Sequence, residues 1–314
     1  MGKEHTMVAR TSRRWGALIL GAVLLVSISD LSVSAAPERP FSVASKVRVS
    51  GLGHPESVAY DPGDRTLLVS RFGSVLRPTL KDGKGKISRV SLTGRLLEER
   101  FLPGPGDILH KPKGIWVEGR RAWVADIDTA WVFDLTNRKG RKVLLPGARF
   151  ANDVALMDGS LFVSDTATGK IYRVSPADFL SIAGHPEVSV FASGLSFGPN
   201  GLCPTPGGTL LVAGYDMGGR DRGIYEVDGR GSVRVLAEGL GRLDGIARLS
   251  TGLLILTDWK SGSLLLWDEH SGHRALASGL RGPADFCLVP RERGLTVVVP
   301  DLVTGDLYII GLAR

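Results

Sequence analysis

Cysteine is scarce in this chain of 314 residues: Cys203 and Cys287 are the whole supply, so at most one disulfide can form. No stretch beyond the N-terminus keeps a 3.6-residue apolar period, which leaves little room for helix. Although the net charge is +7, no Lys/Arg run with interleaved aromatics tracks a face. A solvated basic surface therefore outranks nucleic-acid binding. No Ser-His-Asp arrangement can be recognised from spacing. The one long apolar run, Trp15 to Ile28, is too short for an ordinary membrane span.

That run follows a basic start (Lys3, Arg10, Arg13, Arg14) and precedes Val33-Ser34-Ala35, a small-residue cleavage site. Residues 1–35 read as a signal peptide and 36–43 as a short linker. The expected location is exported, periplasmic or secreted, without membrane attachment once the signal is removed. An uncleaved anchor is the rival reading. Ser12-Arg13-Arg14 is compatible with twin-arginine export as well as the general route. Residues 36–314 carry +5.

What the chain does have is a motif repeated six times. The copies centre on Glu56, Lys113, Asn152, Asn200, Asp244 and Ala284, at spacings of 57, 39, 48, 44 and 40. Proline often precedes that position. A small or acidic residue and then a bulky apolar one follow it. Each copy is followed by short β-branched and aromatic runs bounded by Gly, Pro, Asn and Asp, the signature of strands and hairpins. A period of this length with strand content points to propeller blades. The expectation is an all-β, six-bladed β-propeller over residues 44–314.

The last repeat is one strand short. Val47-Arg48-Val49-Ser50 resembles the strand that precedes the other motifs, so the N-terminal strand is expected to complete the sixth blade and remove its open edge. The first repeat is long because of an insertion around 77–86, expected to be an exposed hairpin loop. Cys203 and Cys287 share one repeat position in non-adjacent blades, too far apart for a disulfide. Three positions beyond the motif centre, they are expected on the opposite strand face, as buried free thiols. Asp126, Asp165, Asp258 and Asp301 recur at the end of the second strand, where carboxylates accept backbone N–H bonds. Tryptophans and tyrosines are expected mostly in the core.

Equivalent positions in blades around an axis converge. Two carboxylates and two carboxamides meeting there, Glu56, Asp244, Asn152 and Asn200, offer hard oxygen donors to one divalent ion. Ca²⁺ suits them best, with Mg²⁺, Mn²⁺ or Zn²⁺ as alternatives. A cation there would polarise an ester or lactone carbonyl, with Asp244 as general base and Asp153 orienting its neighbours. Lys113 enters the same column as a cation that either holds a substrate anion or pairs with Glu56 or Asp244. His54 and His110 fall near the channel mouth as substrate contacts or surface loop residues.

The segments Pro55-Glu56-Ser57-Val58, Arg149-Phe150-Ala151-Asn152-Asp153, Pro199-Asn200-Gly201-Leu202 and Asp244-Gly245-Ile246 resemble the signatures of the SMP-30/gluconolactonase/LRE-like family. The resemblance spans nearly all of residues 44–314. It implies a six-bladed propeller with a divalent metal at one channel mouth and hydrolysis of lactones or related esters. It also implies metal ligation by Glu56, Asn200 and Asp244, and a role for Asn152 at the metal, its water or the substrate. Arg149 stands three residues before Asn152, where the family arginine stands two before, so its substrate role is open. Val124-Ala125-Asp126 and Val163-Ser164-Asp165 resemble NHL repeats, many of which bind a peptide, glycan or protein and catalyse nothing. Two readings therefore stand: an exported metal-dependent hydrolase of small molecules, with Asp244 and Asn152 catalytic, or a non-catalytic binding propeller. Oligomeric state is not legible.

Overall fold

The structure, a computed structural model, describes residues 41–313. The signal-peptide segment 1–35 lies outside the described residues. Strand β1 (Ser42–Val49) begins two residues inside the segment read as linker. Blade 1 then follows as β2 (Pro55–Asp61), β3 (Thr66–Arg71), β4 (Lys86–Ser91) and β5 (Leu96–Leu102). Blade 2 is β6 (Pro112–Glu118), β7 (Arg121–Asp126), β8 (Thr129–Asp134) and β9 (Gly140–Leu144). Blade 3 is β10 (Ala151–Met157), β11 (Ser160–Asp165), β12 (Lys170–Ser175) and β13 (Glu187–Ala192). Blade 4 is β14 (Pro199–Pro204), β15 (Leu210–Gly214), β16 (Arg222–Val227) and β17 (Val233–Gly241). Blade 5 is β18 (Leu243–Arg248), β19 (Leu254–Asp258), β20 (Ser263–Asp268) and β21 (Gly272–Ala277). Blade 6 is β22 (Cys287–Pro290), β23 (Leu295–Asp301), β24 (Asp306–Ala313) and β1.

The fold is the six-bladed propeller, with no helix among the described residues. β1 closes the ring by pairing antiparallel with β24, Val47 opposite Ile309 and Arg48 opposite Tyr308. The pairing runs outward to Ser42 opposite Ala313, and Ser50 lies beyond its end. The inner strands β2, β6, β10, β14 and β18 pack in succession, and β22 packs beside β2.

Hydrophobic pattern follows depth. The second strands, such as β3 and β11, are buried at every position because a neighbouring blade covers each face. The outermost strands, such as β17 and β21, are largely exposed. The core is consequently divided among the blade interfaces. Leu161, Val163 and Tyr172 meet Trp123 and Val132 between blades 2 and 3. Val58, Leu67 and Val69 meet Val298, Leu307 and Ile309 between blades 6 and 1. Full burial of such aliphatic side chains is worth about 1.5–3 kcal/mol each. The last of these interfaces, together with β1, holds the ring shut.

The recurring aspartates lock the inner strands in place. Asp165 accepts the backbone N–H groups of Arg149 and Phe150 at 3.0 and 2.9 Å. Asp126 does the same for His110 and Lys111, and Asp301 for Arg281 and Gly282. Asp258 accepts from Arg242 at 2.8 Å. Each carboxylate thereby fixes the backbone just before its blade's motif centre, as expected from their position.

One sequence expectation is corrected, the burial of the two cysteines. The register shifts at the motif in five inner strands, for example between Ala151 and Val154 and between Pro199 and Leu202. Such a bulge consumes a residue and breaks the strict alternation of side chains. Cys203 and Cys287 are free, as expected, but half-buried rather than buried. They line a cavity of about 410 Å³ that also touches Asp153 and Asp285. The insertion after β3 joins the paired strands β3 and β4 as a largely exposed hairpin loop, as expected, and it is also tied down. Lys111 Nζ, fully buried, binds Phe72 O at 2.7 Å and Asp82 Oδ2 at 2.8 Å, and Gly83 N–H donates to His110 Nδ1. A buried ammonium needs such acceptors, and supplying them folds the loop against blade 2.

Candidate functional site

The bulge aims the motif centres inward, and Glu56, Asn152, Asn200 and Asp244 all line one cavity of about 220 Å³. All four are buried. Close approach of the blades requires the glycines that follow the motif centre. A Cβ at Gly201 would lie 2.3 Å from Asp244 O, and one at Gly114 would lie 2.2 Å from Asp153 Oδ1. The small residue in the motif is thus a packing requirement between inner strands.

The four side chains form a partly connected set. Asn152 Nδ2 donates to Asn200 Oδ1 at 2.5 Å and to Thr166 Oγ1 at 3.0 Å. Asn200 Nδ2 donates to Leu243 O, and Trp259 Nε1 donates to Asp244 Oδ2 at 2.7 Å. Glu56 Oε2 is buried and has no hydrogen-bond partner among the described residues. Burial, then the charge of Asp244, holds the Glu56 carboxyl well above the usual range, against the opposing pull of Lys113. Burial and the charge of Asp285 push Asp244 up to about 7, while the bonds from Trp259 and Asn200 oppose the rise.

These features fit a divalent cation. An orphaned carboxylate oxygen, a second carboxylate and two carboxamides are hard donors gathered at one place. Both carboxyls are raised chiefly by burial, which disfavours their charged form. Asn152 would have to turn, since its N–H now occupies Asn200 Oδ1, and Asp244 Oδ2 already accepts from Trp259. Among the described residues no trio of His, Cys, Asp or Glu gathers around one point; the set depends on its two carboxamides.

The remaining sequence candidates lie elsewhere. Lys113 is fully buried, bonded to Lys111 O at 3.3 Å and stacked over Phe150 (4.5 Å) and Phe72 (5.7 Å). Among the described residues it makes no ion pair within 4.0 Å, and it is not among the residues lining the cavity. Its burial lowers its pKa, with Glu56 opposing. His54 Nδ1 is bonded to Leu302 O, and His110 Nδ1 holds Gly83. Arg149 is exposed. None of His54, His110 or Arg149 lines the cavity. Asp153 accepts from Val154 and, across the blade boundary, from Leu202. It therefore steadies the strand that carries Asn200 without facing the four donors' cavity.

A second column of cavity residues was missed. Phe72, Thr166, Tyr215, Trp259 and Leu302 each follow the last residue of a second strand. Each donates its backbone N–H to the residue two before the motif centre, as Thr166 does to Phe150 and Trp259 to Arg242. The signal in the sequence was the residue after Asp165, Asp258 and Asp301, in line with Arg71 and Gly214. The mixed chemistry of that column hid it. Trp259 and Tyr215 are thus cavity residues rather than core.

No sequence-family profile matches the chain, and no curated protein matches it. Solved structures do match its fold. A virginiamycin B lyase from Staphylococcus aureus aligns with TM-score 0.58 and 13% identity over 87% of this chain and 99% of its own. A gluconolactonase from Xanthomonas campestris aligns with TM-score 0.60 and 16% identity over 88% and 99%. A further protein, provisionally named a gluconolactonase, gives TM-score 0.63 and 15% identity over 87% and 94%. At such identities the likeness is one of fold.

Proposed function

We propose that this protein is an exported, metal-dependent hydrolase of lactones or related esters. The observation that carries the reading is the convergence of Glu56, Asn152, Asn200 and Asp244 on one cavity, with Glu56 Oε2 left unpartnered. These four would hold a divalent ion, Ca²⁺ by preference. Such an ion, when bound, polarises a carbonyl and acidifies water. Asp244, with one oxygen held by Trp259, is placed to receive the proton of the attacking water. Trp259 holds Asp244 Oδ2 and so aims the other oxygen. Asn152, anchored by Thr166, positions the reacting carbonyl. Phe72, Phe150 and Leu302 keep bulk water from the walls.

The lyase among the similar structures shows that this fold also serves cleavage without water. The experiment is metal analysis of the purified protein with a lactone panel, with and without chelator, on wild type and Asp244→Asn. Stoichiometric divalent metal and chelator-sensitive turnover are expected, with turnover reduced about 10²–10⁴-fold in the variant. Equal turnover and metal content in both would replace this reading with a non-catalytic binding propeller.

A further inference from the structure

We infer that the site selects lactones or esters bearing an alkyl or aryl substituent, over polyhydroxylated ones, and that Leu76 and Met217 are specificity-determining residues. This rests on the hydrolase reading for its reaction but on the cavity wall for its selectivity.

The cavity is polar only at its floor. Beside the four oxygen donors and Thr166, the cavity is lined by Phe72, Phe150, Pro78 and Leu302. The two wall aromatics that carry polar atoms have most of that capacity engaged. Trp259 Nε1–H goes to Asp244, and Tyr215 Oη accepts from Arg242 Nη2, which leaves the tyrosine O–H as the one donor on these two rings. A sugar-like ring would bring several hydroxyls against this wall and leave them without partners, and an unpaired buried polar group is costly. An alkyl or aryl group finds contact there instead.

The rim repeats the pattern. Leu76, on the insertion after β3, is 39% exposed, and Met217, on the loop after β15, is 55% exposed. Both nevertheless line the cavity. Large apolar side chains exposed beside a functional cleft mark a binding surface for an apolar group. Methionine adapts its shape to different occupants. The loop that carries Leu76 is held in place rather than free. Lys111 ties its two ends through Phe72 O and Asp82, Lys81 pairs with Asp128 at 2.5 Å, and Gly85 N–H bonds Leu109 O at 3.1 Å. One buried side chain in blade 2 therefore sets the position of an apolar arm over the site.

The test compares three δ-lactones of one ring size on the Ca²⁺-loaded protein: δ-valerolactone, δ-decalactone and δ-gluconolactone. The expected kcat/KM for δ-decalactone exceeds that for δ-gluconolactone by at least 10-fold. Leu76→Ser and Met217→Ser should each lower the δ-decalactone to δ-valerolactone ratio about 3–10-fold, in line with the modest discrimination of apolar pockets. A preference for δ-gluconolactone, or ratios unmoved by both substitutions, overturns the inference while leaving the hydrolase reading intact. Calorimetric titration with the corresponding non-hydrolysable lactams separates binding from turnover. If no lactone is cleaved but the alkyl lactam binds wild type and binds Leu76→Ser several-fold more weakly, the selectivity stands and the hydrolase reading fails. Should the polyhydroxylated lactam bind as well as the alkyl one, the selectivity is wrong whatever the turnover.

Discussion

Trp259 donates its indole N–H to Asp244 Oδ2 over 2.7 Å, so one wall of the cavity and the carboxylate at its floor act as a unit. The bond stabilises the ionised carboxylate, against burial and the charge of Asp285. Trp259→Phe keeps the ring and removes the donor. Asp244 then holds its proton more tightly. The acid limb of the kcat/KM profile should move to higher pH by about one pH unit, since a hydrogen bond to a charged group is worth roughly 1.5–3 kcal/mol. An unmoved limb would show that Asp244 is not the group being titrated.

Lys113 offers a second test, because its ammonium is stacked on Phe150 and has no ion pair among the described residues. Lys113→Met retains the apolar stem and removes the charge beside Glu56. Divalent-metal affinity should tighten by about tenfold, the scale of a Coulomb interaction across a partly screened interior. The KM for anionic substrates should stay the same, since Lys113 does not line the cavity. A raised KM with unaltered metal affinity would instead make Lys113 a substrate contact. Titration calorimetry and steady-state kinetics distinguish the two.

The metal-free protein should lose stability as pH rises. Asp244 is raised to about 7 and Asp285 to about 6, both chiefly by burial. A carboxyl with a raised folded pKa keeps its proton where the unfolded chain has released it. Stability is then fully present below the unfolded value near 4 and is lost as pH climbs through about 6 to 7. Carboxylates with lowered pKa, such as Asp82 and Glu226, act in the opposite direction but only as pH falls below about 4. Denaturant melts in chelator should therefore show a decline between pH 4.5 and 8. Asp285→Asn should flatten it, and Ca²⁺ should restore stability at pH 8. A flat wild-type profile would argue against these desolvated carboxyls.

Asp165 is fully buried and serves two backbone N–H groups that precede Asn152. Asp165→Ala leaves both without an acceptor, at roughly 1–3 kcal/mol for each unsatisfied group. The expected fall in Tm is about 4–10 °C at the per-kcal/mol scale of a domain this size, with weaker metal binding as the strand entry shifts. Asp268→Ala, on an exposed turn, should change little. Calorimetric melting of the two variants side by side provides the check. Equal melting temperatures would remove the anchoring role.

Much of the architecture was written in the chain. Repetition of one motif determined six blades, because equivalent residues in a ring of equal units must take equivalent places. The missing strand of the last repeat and its likeness at Val47-Arg48-Val49 determined the closure onto β24. The same equivalence brought Glu56, Asn152, Asn200 and Asp244 together, and kept Cys203 and Cys287 unpaired.

Tertiary structure decided what repetition does not encode. Whether a cysteine three residues past the motif is buried depends on the bulge, which arises only when two strands pair. Phe72, Thr166, Tyr215, Trp259 and Leu302 share a position but no chemistry, so their grouping emerges only when the blades close. The insertion after β3 read as solvated because its Gly and Lys content suits a loop. Lys111, buried in the neighbouring blade, needed acceptors and found them in Phe72 O and Asp82. Composition sets a side chain's preference for water. Only the packed neighbour determines whether that preference is met by solvent or by another part of the chain.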